Sequence, residues 1–484
     1  PPLVSNLLAK LRLMKFSIEK EQSFQIAEAG LNYYQWHLIK FPSDFKDGTN
    51  NDGPYEHDYE DFTTREIVGK FKLEITPPLV GSTVVTVKST GWTNDNPNIT
   101  RTVTAIYGIP SLVKYAFISQ YPAWTYASDN IRGLFHSNDG IRFEAQTNSR
   151  VQSAKSTYTC SIGECGRTGT MPAIWARGSC GATCYCSIDS NGNIYNSCGG
   201  STSCCPPSMP SWQFPATQVD FSLLTSTLGN MKTLAEADGG KFKLPPSNTG
   251  AECSAGCYGY SIVFNSNGTL SIYKVTSLRS EPTGSYYVYG TWTAHSQSTD
   301  YSTRFLIPGY ENIPLPSNGI IYAEDNVWVE GTVKGRVALA AALLPYTSLA
   351  NAKSIYIANN IVYSAKDGTD SLGLVAQRDI IYSYYAPNNL EVDAAEVTQY
   401  GSTQALSFPH TMVYPDLKNS ITTYGAIMSY DSWNWTWSGV DGSSIYTGFA
   451  HTNNEFDGNA LYAPPPNFPI ANSEYQLLKW TPND

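Results

Sequence analysis

Apolar residues recur every three or four positions at Leu7, Leu11, Met14 and Ile18, pause over 19–22, and resume at Phe24, Ala27, Leu31, Tyr34 and Leu38. That is the period of an α-helix with one apolar stripe, and it predicts a helix over 3–38. Pro2 suits its first turn, where a missing N–H costs nothing, and Pro42 stops it. Gly30 is the only helix breaker inside. At 1.5 Å per residue the helix is about 54 Å long, more than one ordinary domain covers. The stripe from Phe24 onward is expected to pack on the chain's own body. The part from Leu7 to Ile18 is expected to extend beyond it and meet a neighbour or a membrane. There Lys10, Arg12 and Lys15 need acidic partners such as Glu19 or Glu21 of an adjacent helix, or lipid head groups.

Past Phe41 the period changes from helical to two. Phe71, Leu73 and Ile75, then Val85 and Val87, then Val103, Ala105 and Tyr107 alternate with polar residues and predict a small antiparallel sheet against the helix. Residues 221–237 read as a short helix, and 260–264 with 270–273 as a hairpin around a turn at 265–268. From Gly319 to Gly401 short apolar strands follow one another: Ile320–Tyr322, Val327–Val329, Val337–Leu339, Ile355–Ile357, Ile361–Tyr363, Leu372–Leu374, Ile380–Tyr382 and Leu390–Val392. Asn318, Asn326, Asn359, Asn360, Asn388 and Asn389 stand at their corners, the rhythm of a solenoid of stacked parallel strands. A β-sandwich is the competing arrangement. The fold class is therefore mainly β with a long N-terminal α-helix. Its divisions are an assembly helix at 1–41, a sheet subdomain at 42–119, a β-rich region at 120–260 with a cysteine-rich insertion at 158–207, a β-helix-like body at 261–465, and an extended tail at 466–484.

Charge changes this picture little but narrows the partners. Only 15 % of residues are charged and 13 % are aromatic, as on exported surfaces that are polar without being ionic. A net charge of −10 argues against a nucleic-acid partner, which needs a basic face. The ten cysteines, Cys160, Cys165, Cys180, Cys184, Cys186, Cys198, Cys204, Cys205, Cys253 and Cys257, are even in number and fall in one window rich in Gly, Ser and Pro. That reads as a disulfide framework, and so as an extracytoplasmic location. Their spacings do not form the paired knuckles of a zinc site.

Chemistry-bearing motifs are sparse. There is no nucleophile elbow, no H-E-x-x-H and no phosphate-binding loop, and the six histidines are scattered. The chain is read as no enzyme and as needing no cofactor. Three features still call for placement. Asp44, Asp47, Asp52, Glu56 and Asp58 crowd a Gly-rich loop of a composition that suits Ca²⁺, although the spacing is not that of an EF-hand; a solvated acidic loop, with His57 bonded to carboxylates, is the plainer reading. Glu391 and Asp393, or Glu324 with Asn326, would share a strand face as in polysaccharide hydrolases. Trp433, Trp435 and Trp437 alternate and would present one face to sugar rings or cover a sheet.

The decapeptide Gln25-Ile26-Ala27-Glu28-Ala29-Gly30-Leu31-Asn32-Tyr33-Tyr34, following a helix with basic residues, resembles the end of the N-terminal helix in bacterial type IV minor pilins of the PilX type. The stretch 317–368 resembles the β-helical bodies borne by large pilin-like proteins. The resemblance implies a subunit made with a cleaved leader, held in the membrane before assembly, and then packed helix to helix with copies of itself or other pilin-like subunits in a cell-surface filament. On that reading Leu7, Leu11, Met14, Ile18, Phe24, Ala27, Glu28 and Leu31 form the assembly helix, and surface glycans are candidate ligands for an adhesive role. The chain departs from the family in two places. Ser5 stands where the family has a glutamate near the helix start, and the long apolar run expected ahead of Lys10 is missing. That run lies upstream, or the protein assembles differently.

Overall fold

A computed structural model describes the chain except for residues 1, 80–81, 128, 161–168, 179–183, 200, 207–208, 238, 255, 289–290, 296, 409–416, 432, 439–444, 471–473 and 484. The chain divides into two compact units: 1–111 with 470–484, and 112–469.

The first unit joins helix α1 (Pro2–Lys40) to an antiparallel sheet. The strands are β1 (Tyr55–Glu60), β2 (Ile67–Thr76), β3 (Val85–Thr93), β4 (Arg101–Gly108) and β5 (Gln476–Asn483), paired in that order. Residues 466–484 therefore do not form an extended tail: Gln476–Asn483 closes one edge of the sheet against β4. Alternation is strict on β3, where every second residue is buried, because a pleated strand shows successive side chains to opposite faces. Phe71, Leu73, Val85, Val87, Val103, Ala105 and Tyr107 meet Ile26, Ala27, Leu31, Tyr34 and Leu38 of α1 in one core.

The second unit is a parallel β-solenoid. Along its first sheet the strands stack in the order Lys243–Leu244, Ile320–Ala323, Arg336–Ala341, Ser371–Ala376, Asn389–Thr398, Leu417–Ser429, Tyr115–Ser119, Leu134–Ser137, Val151–Ser153 and Trp212–Gln213. A second sheet stacks Gly259–Asn265, Val327–Val333, Ile355–Tyr363, Ile380–Tyr382, Thr403–Ala405 and Trp433–Asn434. A third uses the ends of the longer strands with Ile445–Phe456, Asn130–Ile131 and Gln146–Thr147. The chain thus enters the stack in its middle. It winds outward from 115 to 213, passes through helix α2 (Leu223–Ala237), and re-enters at the far end near 243. From there it winds back until the coil at 417–456 pairs with the coil at 115–131. Of residues 120–260, the strands at 130–137, 146–153, 212–213, 243–244 and 259–265 belong to the same solenoid, whereas 157–160 with 169–172, and 174–177 with 185–188 and 194–196, pair antiparallel in small sheets of their own, as an insertion does; the unit begins at 112 rather than 120. The parallel pairing settles the choice against a sandwich.

In-register columns of side chains fill the interior. Ile321, Leu339, Leu374, Ile427, Phe117, Phe135 and Val151 are aligned and buried, each worth about 1.5–3 kcal/mol by burial. The corner asparagines act as the sequence rhythm requires. Asn326 Oδ1 accepts from Ser354 N, Asn360 Oδ1 from Glu391 N, and Asn388 Oδ1 from Asn419 N, each on the next coil.

Candidate assembly helix

Helix α1 has two halves with opposite environments. In the half that docks, Ile26, Ala27, Leu31, Tyr34 and Leu38 are buried, and two glycines allow the helix to lie close to the sheet. A Cβ at Gly91 of β3 would strike the backbone of Ser23 and Ala27, and one at Gly30 would strike Ser89 and Phe71. The helix runs through Gly30 without a break. Ser23 Oγ donates to Glu19 O and lies 2.8 Å from Ile99 O, and Tyr107 Oη donates to Leu31 O at 3.1 Å. Phe24 is half-buried, edge-on to Trp480 at 6.0 Å, and Glu28 is half-buried. Ile26 and His37 complete the docked face, and the three-four spacing used for the stripe passed over both.

The other half has no such cover. Leu7, Leu11, Met14 and Ile18 are 58, 53, 61 and 56 % exposed, and Val4, Leu8, Leu13 and Phe16 are exposed too. At 100° per residue Val4, Leu7, Leu8, Leu11, Met14 and Ile18 share one broad side, whereas Leu13 and Phe16 lie on the other. The apolar surface is therefore wider than a single stripe. Among the cations, Lys15 reaches Glu19 at 3.7 Å and Lys20 lies over the Phe16 ring. Glu19 is buried and accepts from Asn96 Nδ2, so the expectation that it pairs with a neighbour's Lys or Arg is corrected: the protein's own sheet engages it. Glu21 remains exposed. Among the described residues no helix is long and apolar enough to cross a membrane.

The acidic loop anchors the far end of α1. Asp44 accepts from Lys46 N and Gly48 N and pairs with His37 at 3.0 Å. Partial burial opposes ionisation, but these donors hold its carboxyl below the usual range. Asp47 accepts from Tyr33 Oη and lies 2.6 Å from His57 Nε2. Burial, with Asp47 alongside, pushes the Tyr33 hydroxyl up to about 12. Asp52 pairs with Lys46, and Asp58 with Lys70. The proposed Ca²⁺ ligands Asp44, Asp47, Asp52, Glu56 and Asp58 do not converge. Among the described residues the one His, Cys or carboxylate group within common ligand distance is Cys186, Cys204 and Cys205, and those sulfurs are oxidised. Asp44 serves as a hydrogen-bond acceptor for the turn, whereas Glu56 and Asp58 lie on β1.

The cysteine window is oxidised as expected where it is described. Cys184 joins Cys198, Cys186 joins Cys205, and Cys253 joins Cys257. Cys160 and Cys204 are disulfide-bonded as well, while Cys165 and Cys180 lie outside the described residues.

The carboxylate pairs are engaged internally. Lys366 Nζ reaches both Glu391 and Asp393, at 3.3 and 2.9 Å, and Asp393 also accepts from Tyr363 N. Glu324 binds Lys232 of α2 and Lys243. The three alternating tryptophans do not share an open face. Trp433 and Trp435 turn into the solenoid beside Phe117, with Trp435 2 % exposed, and Trp437 alone of the three packs outside the interior, against Trp292.

No protein-family model matches the sequence, and no curated protein matches it. Among solved structures, the competence-associated pilin ComZ from Thermus thermophilus aligns over 96 % of this chain and 97 % of its own, at 13 % identity and a TM-score of 0.29. At that score the likeness carries no inference about this chain.

Proposed function

We propose that this chain is a structural, pilin-like subunit of an extracellular filament, joined to copies of itself or to related subunits through α1, with the β-rich units on display. The observation that carries this reading is the exposed apolar surface from Val4 to Ile18. Leaving such side chains in water forgoes about 1.5–3 kcal/mol each, and a helix apolar on more than one side calls for more than one neighbour. Packing among equivalent helices meets that demand, and a membrane interface meets it before assembly. The pilin-like decapeptide Gln25–Tyr34 supports the same reading. The disulfides support an oxidising, cell-surface location. On this reading the protein is a scaffold rather than an enzyme.

The test is the double variant Leu11→Asp plus Ile18→Asp. It should abolish filaments in electron micrographs while leaving the melting temperature within a degree or two, since neither side chain is covered in the subunit. Filaments formed by the variant at wild-type frequency would overturn the assembly role. Loss of the fold would show that the exposed half belongs to an internal core.

A further inference from the structure

Helix α1 carries a second exposed apolar surface, apart from Leu11 and Ile18. Leu13 and Phe16 lie on the opposite side of the helix and are 68 and 45 % exposed. About five turns further on, the same side carries Leu31 and Tyr34, which are buried against the sheet. The sheet's cover ends at Glu19, which accepts from Asn96, so Leu13 and Phe16 continue the docking face beyond the body that docks. Arg12 and Lys10 flank the pair, one on each side, and Lys20 lies over the Phe16 ring. Residues 2–18 hold Lys10, Arg12 and Lys15 and no carboxylate. This side of the outer half is a short apolar ridge in a cationic frame.

The other end of α1 offers the complement. A cleft of about 920 Å³ opens where the helix ends, and its apolar wall is Phe41, Pro42, Phe45, Tyr55, Ile75 and Pro77. Phe41 is 54 % exposed, whereas Phe45, Tyr55 and Ile75 belong to or pack against the unit's core. The volume is that of a ligand pocket and takes a leucine and a phenylalanine side chain. The chain around it is acidic on balance: residues 40–56 carry Asp44, Asp47, Asp52 and Glu56 against Lys40 and Lys46, and Lys46 is held by Asp52 at 2.6 Å. Because α1 is one continuous helix, Phe16 and Lys40 of a single copy stand about 36 Å apart at 1.5 Å per residue. Ridge and cleft can meet only between copies. Two different surfaces that meet between copies make a heterologous contact, which propagates head to tail when it does not close into a ring.

We propose that the ridge of Leu13 and Phe16 in one copy seats in the cleft at the end of α1 in the next copy, an apolar contact framed by opposite charge. This rests on the assembly reading and gives it a direction: the broad side from Leu7 to Ile18 packs among helices, while the narrow side is received by the first unit of a neighbour.

The test mixes the full chain carrying the photo-crosslinking substitution Phe16→p-benzoylphenylalanine with isotope-labelled full chain. After irradiation, mass spectrometry should join position 16 to 41–55 or 75–77 of the labelled copy. Phe41→Lys in the labelled copy, at a half-exposed side chain, should lower that yield about fivefold at unchanged melting temperature, and Lys10→Glu plus Arg12→Glu in the crosslinking copy should do the same. Because Leu11 and Ile18 lie on the other side of α1, their double variant judges the assembly reading separately. Crosslinks confined to α1 of the labelled copy would overturn the cleft and leave the filament reading standing. No crosslink between copies, or a yield that neither set of substitutions lowers, would overturn the proposal. Preferential crosslinking to phosphatidylglycerol vesicles added to the mixture would overturn it in favour of a lipid surface.

Discussion

At the scale of single residues, the most consequential side chain is Glu396. It occupies the interior column of the solenoid in register with Leu374 and Ile427, where every other coil places an apolar group. Its carboxyl faces Tyr382 Oη, 2.9 Å from each oxygen. Burial pushes its pKa up to about 8, against the pull of the Tyr382 hydroxyl. The folded state therefore binds this proton more tightly than the unfolded chain does. Its contribution is fully present below the ordinary glutamate value and is lost as pH rises from there through about 8. Each pKa unit is worth about 1.4 kcal/mol, so the loss is on the order of several kcal/mol. Glu396→Gln keeps the shape and the acceptor but carries no ionisable proton. It should flatten the decline of stability between pH 5 and pH 8 and be the more stable protein at pH 8. Denaturation midpoints measured across that range decide it: curves that stay parallel would mean that the carboxyl ionises without cost. Alternation points to its burial, since counted in twos from Leu390, Val392 and Ala394 it falls on the apolar, inward half of its strand. What the sequence does not carry is its partner, the Tyr382 hydroxyl, which the stacking of the coils brings alongside.

At the scale of elements, α1 shows one helix serving two environments with one kind of side chain. Leu31 and Leu11 are both helical leucines, yet Leu31 is 3 % exposed and Leu11 53 %. Leu31→Ala should cost about 2–5 kcal/mol, the range for emptying a packed leucine site. Leu11→Ala should change subunit stability by less than about 0.5 kcal/mol, as exposed substitutions do. Chemical denaturation followed by circular dichroism measures both, and a similar loss for the two would mean that the outer half is packed. The helix was legible in the sequence because its period is strong and Pro2 and Pro42 bracket it. The strands facing it were legible because only one face of that sheet is buried, which forces alternation on Phe71, Leu73, Val85 and Val87. The corner asparagines announced the solenoid for a similar reason, since Asn326, Asn360 and Asn388 each supply an acceptor for the next coil. Other features carried no local signal. The row Trp433, Trp435 and Trp437 alternates whether it looks inward or outward, and the acidic loop has the same composition whether it binds a cation or caps its own backbone.

At the scale of the whole molecule, the connectivity has a consequence that neither composition nor periodicity carries. The first unit is made from the two ends of the chain, and the entire solenoid is inserted between β4 and β5, strands that pair directly. Ser111 and Ile470, at the two crossings, form an antiparallel bridge. The ends of the insertion are thus already adjacent within the first unit, and closing them with a short turn requires little loop entropy. Its core is drawn from its own residues, Ile26 to Leu38 of the helix against β2, β3 and β4 with Tyr475. The solenoid's core is likewise its own, running from Ala116 to Phe449, and Leu112 N donates to Pro469 O, joining its two ends. A chain of 1–111 joined by a Gly-Ser turn to 470–484 should therefore fold with a helix-plus-sheet spectrum and a cooperative melt. Residues 112–469 expressed alone under oxidising conditions should give a β-spectrum and a separate melt. The decisive observation is amide exchange in β4 of the excised first unit. Protection there requires β5 to have found its place without the solenoid, whereas rapid exchange would show that the inserted solenoid is what holds the two ends of the chain together.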